Sequence, residues 1–242
     1  KEIRRFMAVY KQTILAPVVT TLLFLVIFSL ALGGSVRSIN GMAFQVFLAP
    51  GLIIMVIAQN AFTNTSSSLV ISKIEGTIVD VLMSPLNAFE MIFAYLMGAI
   101  VRGFLVGIAT FIGIIIFMDL PLANIGAIFI FGFLGAMMLG LLGVLGGVWA
   151  DKFDHISAVT NFVITPFSFL SGTFYTISRV PEPFQSMAWF NPFFYMIDGF
   201  RYGFLGRSDA DPLWGAILLG MVNAALAITV WRLISRGYKL KA

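Results

Sequence analysis

Six long stretches of this chain are almost purely apolar, and that pattern constrains its fold more than any other feature. They lie at 14–33, 44–63, 89–117, 123–149, 156–175 and 213–234. Each has the roughly 20 residues that a helix needs to cross a bilayer core of about 30 Å. The two longest, 89–117 and 123–149, have enough length to tilt or to extend past the core. The runs are continuous rather than alternating, which favours helices over a barrel. Hydrophobic residues make up 60% of the chain and charged residues 11%. Soluble domains have about 45–50% and about 25%. An aqueous domain is excluded because so few charges cannot cover so much apolar surface. A disordered chain is excluded by the same numbers. The expected fold is an all-α membrane protein, a single transmembrane domain over 1–242 with six spanning helices.

The net charge of +4 reports orientation in a membrane, not affinity for nucleic acid. Six spans place both termini on one side. That side carries Lys1, Arg4, Arg5, Lys11, Lys73, Lys152, Arg232, Arg236, Lys239 and Lys241; the other carries Arg37, Arg179, Arg201 and Arg207. The positive-inside bias puts both termini in the cytoplasm of a multi-pass membrane protein. The first span follows a basic flank and is long for a signal-peptide core, so it reads as a retained anchor. The chain starts at Lys1 without a methionine, and further N-terminal sequence is expected.

Before the first span, 1–13 places Ile3, Phe6, Met7 and Tyr10, continued by Ile14, at helical spacing with Arg4, Arg5 and Lys11 between them. It reads as an amphipathic helix on the cytoplasmic interface or as a basic flank that sets topology. Span two ends in a polar run, followed by a segment in which Gly76 and Pro85 bracket about two helical turns. Ile78, Val81 and Leu82 share one side there, with Lys73, Glu75 and Asp80 as exposed charges. This short cytoplasmic helix, 73–85, is either a docking surface or an ordinary loop. Outside, Pro183 starts a short helix that Asn191-Pro192 interrupts, and a second runs through Leu205. Both are too short to span. Their many aromatic rings suit the headgroup level, so 183–205 reads as two re-entrant or interfacial helices.

Within the membrane, no carboxylate sits at mid-span; Glu90 lies near the cytoplasmic end of span three. A proton relay needs such groups. Arg102 is the one strong charge deep in a span, and Glu90 is about 18 Å away along the helix, too far to pair. Arg102 is read as an anionic-headgroup contact or as an interhelical tie. In span five, Ser157, Asn161, Thr165, Ser168 and Gly172 recur at steps that share one helical face, and Pro166 is expected to loosen the helix. Span two adds Gln59, Asn60 and Thr63. These stripes line a translocation path or hydrogen-bond between helices. The small residues Gly132, Ala136, Gly140, Gly143 and Gly147 of span four, and Ala99, Gly103 and Gly107 of span three, read as close-packing ridges.

Cysteine is absent, which removes disulfides, thiolate nucleophiles and cysteine metal sites. His155 is the lone histidine and has no second candidate ligand. No metal site and no catalytic residue is assigned. No G-x-x-x-x-G-K-[ST] loop is present, so the chain does not bind ATP by that route.

Three segments carry a family resemblance. They are Glu75-Gly76-Thr77 with Leu82-Met83-Ser84-Pro85-Leu86, Leu170 to Tyr175 (LSGTFY), and Asn191-Pro192 with Tyr195 and Asp198-Gly199-Phe200-Arg201-Tyr202. In this order the chain resembles the membrane subunit of ABC-2 type exporters, the YadH-like bacterial inner-membrane permeases in particular. The resemblance implies a connecting helix at 1–13 and a coupling helix at 73–85 that docks on a separate ATPase. Lys73, Glu75, Gly76, Thr77, Asp80, Leu82 and Pro85 would belong to that coupling segment. It implies external helices at 183–205, with Asn191, Pro192, Tyr195, Asp198 and Arg201. It implies a permease homodimer whose path is lined by spans two and five, with Gln59, Asn60, Thr63, Asn161, Thr165 and Ser168. ATP and magnesium would be bound by the partner, with no cofactor on this chain. Family cargoes include lipids, glycolipids, polysaccharides and drugs. The alternative class is an ion-coupled secondary transporter or channel. An intramembrane lipid enzyme lacks a paired nucleophile and base.

Overall fold

The computed structural model describes residues 2–33, 38–39, 41–177 and 181–239. Lys1, Arg37, Arg179 and Lys241 of the charge pattern lie outside the described residues, as do the side chains of Val81, Leu82 and Pro183. The chain opens with α1 (Glu2–Ala8). It widens into a π turn at Lys11–Leu15 and continues as α2 (Ala16–Gly33). A minimal antiparallel ladder follows, β1 (Ser38–Ile39) with β2 (Met42–Ala43), Ser38 opposite Ala43. It leads into α3 (Phe44–Ile74), then α4 (Ile78–Met83), α5 (Ala88–Ile115) and α6 (Ile125–Trp149). Residues 153–173 comprise α7 (Phe153–Val159), a π turn at Thr160–Ile164, α8 (Thr165–Ser168) and a second π turn at Phe169–Thr173. Two helices, α9 (Glu182–Trp189) and α10 (Pro192–Leu205), precede the last, α11 (Pro212–Ser235).

Among the described residues, five helices are long and apolar enough to cross a membrane: Lys11–Ala31, Phe44–Ile74, Ala88–Ile115, Ile125–Trp149 and Pro212–Ser235. The stretch predicted as a regular fifth span, 156–175, differs because its helix is broken twice. Pro166 has no N–H to close the turn behind it. The turn before it is wide, with the Thr165 N–H donating to the Thr160 carbonyl. The second break ends at Gly172, whose φ of 79° only glycine adopts readily. Each π turn closes i→i+5 instead of i→i+4, so regular helical spacing no longer keeps residues on one face. The predicted polar stripe is therefore divided: Ser168 and Gly172 are buried, whereas Ser157 and Asn161 are exposed.

The central element is α3, packed against α2, α5, α6 and α10. Leu48, Ile54 and Leu69 are completely buried on it. The sequence places its end at Thr63; the structure carries it to Ile74. The polar run stays helical because its side chains bond back to their own helix. Asn60 Nδ2 donates to the Val56 carbonyl at 2.9 Å and Ser66 Oγ to Phe62 at 2.8 Å. Thr65 Oγ1 reaches across to the Gly140 carbonyl at 2.9 Å. Such pairing removes the cost of burying hydroxyls and amides.

The small-residue ridges bring these backbones together. A Cβ on Gly143 would sit 2.5 Å from the Phe62 carbonyl, and one on Gly103 would sit 2.9 Å from that of Ile57. Gly143→Val is therefore expected to force α3 and α6 apart. The cost is about 3 kcal/mol, the upper end for overpacking, and appears as a lower melting midpoint in detergent. An unchanged midpoint would contradict this contact.

Candidate functional site

Three places gather the residues singled out in the sequence. The first is a cleft of about 520 Å³ between α2, α3, α5 and the broken helix 153–173. Its polar lining combines Gln59, Asn60 and Thr63 of α3 with Arg102 of α5 and Thr165 of α8. Three of these arise where the α3 helix turns polar, and Thr165 is brought in by the π turn before it. Asn161 and Ser168, expected on the same path, do not line it. Asn161 is exposed, and Ser168 is buried with its Oγ donating to the Ile164 carbonyl at 2.7 Å. Thr20, Thr21 and Thr160 also line the cleft, and sequence reading passed over them. The Thr20-Thr21 pair inside an otherwise apolar span was the available signal.

Arg102 is buried at 7% exposure. Its Nη2 donates to Asn60 Oδ1 at 3.1 Å, which makes it an interhelical tie between α5 and α3. Its Nε is buried with no hydrogen-bond partner. Arg5, on α1, reaches the same helix a turn further on. Its Nη2 donates to the Asn64 carbonyl at 2.8 Å. On α1 itself Phe6 is buried, while Ile3 and Met7 are exposed, as is Tyr10 just beyond it.

The second place joins two of the three resemblance segments. Gly172 turns the chain, and α10 grips that turn. Arg201 Nη2 donates to the Gly172 carbonyl at 2.6 Å and to Thr173 at 3.4 Å, and its guanidinium stacks 3.9 Å over the Phe47 ring. Asn191 caps α10 through Oδ1, which accepts the Phe193 N–H, while its Nδ2 donates to Ser171 Oγ at 2.8 Å. Asp198 accepts the N–H groups of Asp209 and Ala210 at 2.9–3.1 Å. Tyr195 OH donates to the Trp189 carbonyl at 3.0 Å and so holds α9 to α10. Pro192 occupies the first turn of α10, where its missing N–H costs nothing. Burial pushes the Asp198 carboxyl above the usual carboxylate range, opposed by those two N–H donors and by Arg201. Burial also brings Arg201 down to about 10, opposed by Asp198 and Asp209. These residues form a structural lock, not an open pocket.

The third place is the junction after α3. Glu75 ends the helix, Gly76 reverses the chain at a φ of 73°, and Thr77 stands before α4. Ile78 is buried beneath α4, while Glu75 and Asp80 are exposed and Val79 and Met83 expose apolar surface beside them. Pro85 follows the end of α4, and Asn87 with Glu90 forms a reciprocal cap on α5. The Asn-x-x-Glu spacing was the sequence signal for that cap, which sequence reading did not use.

Lys73 departs from its reading as an exposed charge. It belongs to α3, and its side chain is only 12% exposed. Its Nζ donates to the carbonyls of Val148 at 2.6 Å and Ala150 at 3.0 Å. The free carbonyls at the end of α6 carry the negative end of the helix dipole, which attracts a cation. Asp151 lies 4.0 Å from Lys73 and 3.8 Å from Lys239. Lys73→Met is expected to cost about 1–2 kcal/mol by leaving those carbonyls without a charged donor. A melting curve in detergent checks this. His155 sits beside this junction, its Nδ1 accepting the Asp151 N–H and its ring against Trp149. Among the described residues, no group of three potential metal ligands occurs.

The fold and these sites define an all-helical membrane protein. The family model for ABC-2 type transporters matches residues 1–205. The chain is 35% identical over 242 residues to the inner membrane transport permease YadH of Escherichia coli (strain K12), covering 100% of this chain and 94% of that protein. It is 28% identical over 217 residues to nodulation protein J of Rhizobium leguminosarum bv. viciae, covering 86% and 82%. It is 25% identical over 174 residues to the probable multidrug ABC transporter permease YbhR of Escherichia coli (strain K12), covering 71% and 47%. The chain belongs to the ABC-2 type transporter family, as a membrane permease.

Proposed function

We propose that this chain is the permease subunit of an ATP-driven exporter in a bacterial inner membrane, acting as a homodimer with two copies of a separate ATPase. The full-length match to an inner membrane transport permease carries this reading. The chain's own sequence has no phosphate-binding loop, so ATP and magnesium belong to the partner. In this reading residues 153–173 make the sixth crossing, since at up to about 1.5 Å per residue they reach about 30 Å. Both termini are then cytoplasmic, which agrees with the basic residues of 1–11 and 232–241. The exposed Ile3, Met7 and Tyr10 suit a helix lying on the interface. The exposed rings of Trp189 and Phe190 suit external helices dipped into the outer leaflet.

The ATPase docks on 73–85, where Glu75 and Asp80 offer charge and Val79 and Met83 offer apolar contact. The cleft at Asn60 and Arg102 lies on the translocation path. The test is purification from native membranes followed by reconstitution. A P-loop ATPase is expected to co-purify, and transport is expected to require ATP. Transport by this chain alone, driven by an ion gradient without nucleotide, would overturn the reading.

A further inference from the structure

We propose that the cleft around Arg102 binds an anionic amphiphile, a lipid-borne phosphate whose charge is held by Arg102 and whose chain lies along Leu52 and Met55. The inference rests on the permease reading above and names the class of cargo.

Depth is the first consideration. Arg102 stands about 21 Å along α5 from Ala88 and about 20 Å from Ile115, close to the middle of the span. An arginine at that depth is costly and needs partners. Its environment is arranged to position it without neutralising it. The Asn60 Nδ2 is engaged by the Val56 carbonyl, which leaves Oδ1 directed at Arg102. A guanidinium carries five N–H donors. Among the described residues one hydrogen bond holds this one, and its Nε is buried without a partner there.

Charge is the second. A tie between two helices through Asn60 requires a donor, not a cation, and glutamine would serve. Here a second cation stands one helical turn further along α3: Arg5 Nη2 donates to the Asn64 carbonyl, four residues beyond the Asn60 that Arg102 bonds. No Asp or Glu is among the described residues that line the cleft. A site with positive charge, neutral amides and hydroxyls, and no acid among its described lining is complementary to an anion. Guanidinium forks match phosphate geometry particularly well.

Shape is the third. Leu52 and Met55 line the cleft together with the polar groups, and Phe24 and Phe169, which also line it, are exposed. An apolar chain can therefore leave the cleft sideways while its charged end remains inside. A free anion would use only the polar end.

The test uses the purified, delipidated chain in detergent, without ATPase or nucleotide, so that binding is separated from transport. Native mass spectrometry would follow titration with dioleoyl phosphatidic acid, dioleoyl phosphatidylcholine and inorganic phosphate. Phosphatidic acid is expected to bind at least about tenfold more tightly than phosphatidylcholine, the value of one charge-assisted hydrogen bond. Arg102→Gln keeps the donor to Asn60 and removes the charge, and is expected to abolish that preference. Arg102→Lys is expected to retain part of it.

Thr20 is exposed on α2 and lines the cleft. Thr20→Trp is expected to weaken lipid binding by filling the cleft, and it decides the matter should the glutamine variant not fold. Inorganic phosphate at millimolar concentration is expected not to compete. Full competition would assign the site to a free anion and overturn the amphiphile. An equal affinity for the two lipids, an unchanged preference in Arg102→Gln, or an unchanged lipid affinity in Thr20→Trp would overturn the proposal. ATP-driven transport failing while the lipid preference holds would count against the exporter reading alone.

Discussion

Arg201→Met is expected to destabilise this protein by about 3–5 kcal/mol, the largest loss expected from any single polar side chain in it. Methionine keeps much of the volume but removes every donor. Two carbonyls of the turn, Gly172 and Thr173, then lose their charged partner in a buried site. The stack on Phe47 is lost as well, and such cation–π contacts contribute about 2 kcal/mol when desolvated. The turn cannot compensate by relaxing into a regular helix, because Gly172 has already left it. A melting curve of the variant in detergent, against Asn191→Ala, checks the claim. Asn191 reaches the same turn through Ser171 Oγ, so the two losses are expected to be non-additive. A midpoint unchanged by Arg201→Met would mean that the grip of α10 on the turn contributes nothing.

The same turn shows where sequence reading succeeded and where it stopped. Asn191-Pro192 reads as an interruption between two short helices, and α9 and α10 do part there; the same pair also starts α10, because a side-chain acceptor and a missing N–H suit a first turn. Gly172 and Arg201 belonged to separate soft motifs with no visible reason to meet. Their contact depends on a chain reversal that no local pattern encodes. The polar stripe of span five failed for a related reason. Its spacing assumed a constant turn angle, and the two π turns changed the angle twice. Pro166 announced a disturbance but not its form.

Polarity also misled at the end of span two. Asn64, Thr65, Ser66 and Ser68 belong to the polar run placed after the end of the span, yet all are buried. Short hydroxyl and amide groups can satisfy themselves on the preceding turn, so they leave no outward sign in the sequence. Lys73 looked like a solvated charge for the same reason: the carbonyls it serves belong to a helix 75 residues away in sequence. The apolar lengths, by contrast, were legible directly, because five of the six stretches need only hydrophobicity and length to declare themselves.

The double substitution Glu75→Lys with Asp80→Lys is expected to reduce ATP-driven transport at least about tenfold, equivalent to one lost charge-assisted contact or more. The fold should tolerate it. Both side chains are exposed, and surface changes of this kind usually stay within about 0.5 kcal/mol. Asp80 lies in the first turn of α4, where a carboxylate favours the helix by about 0.3–1 kcal/mol, so a small fall in stability is allowed for. The anchoring of α4 does not depend on either charge, since Ile78 is what enters the core beneath it. In the proposed exporter, coupling depends instead on the outward face. There a motor subunit that pulls on α4 would hold the exposed Val79 and Met83 and be steered by the charges beside them. Reversing both charges turns that steering into repulsion while the permease remains folded. Transport in proteoliposomes, the amount of ATPase retained on purification and a melting curve should be measured together. Normal transport with both charges reversed would remove the segment from the coupling path. Lost transport with a full complement of bound ATPase would move its role from docking to the transmission of force.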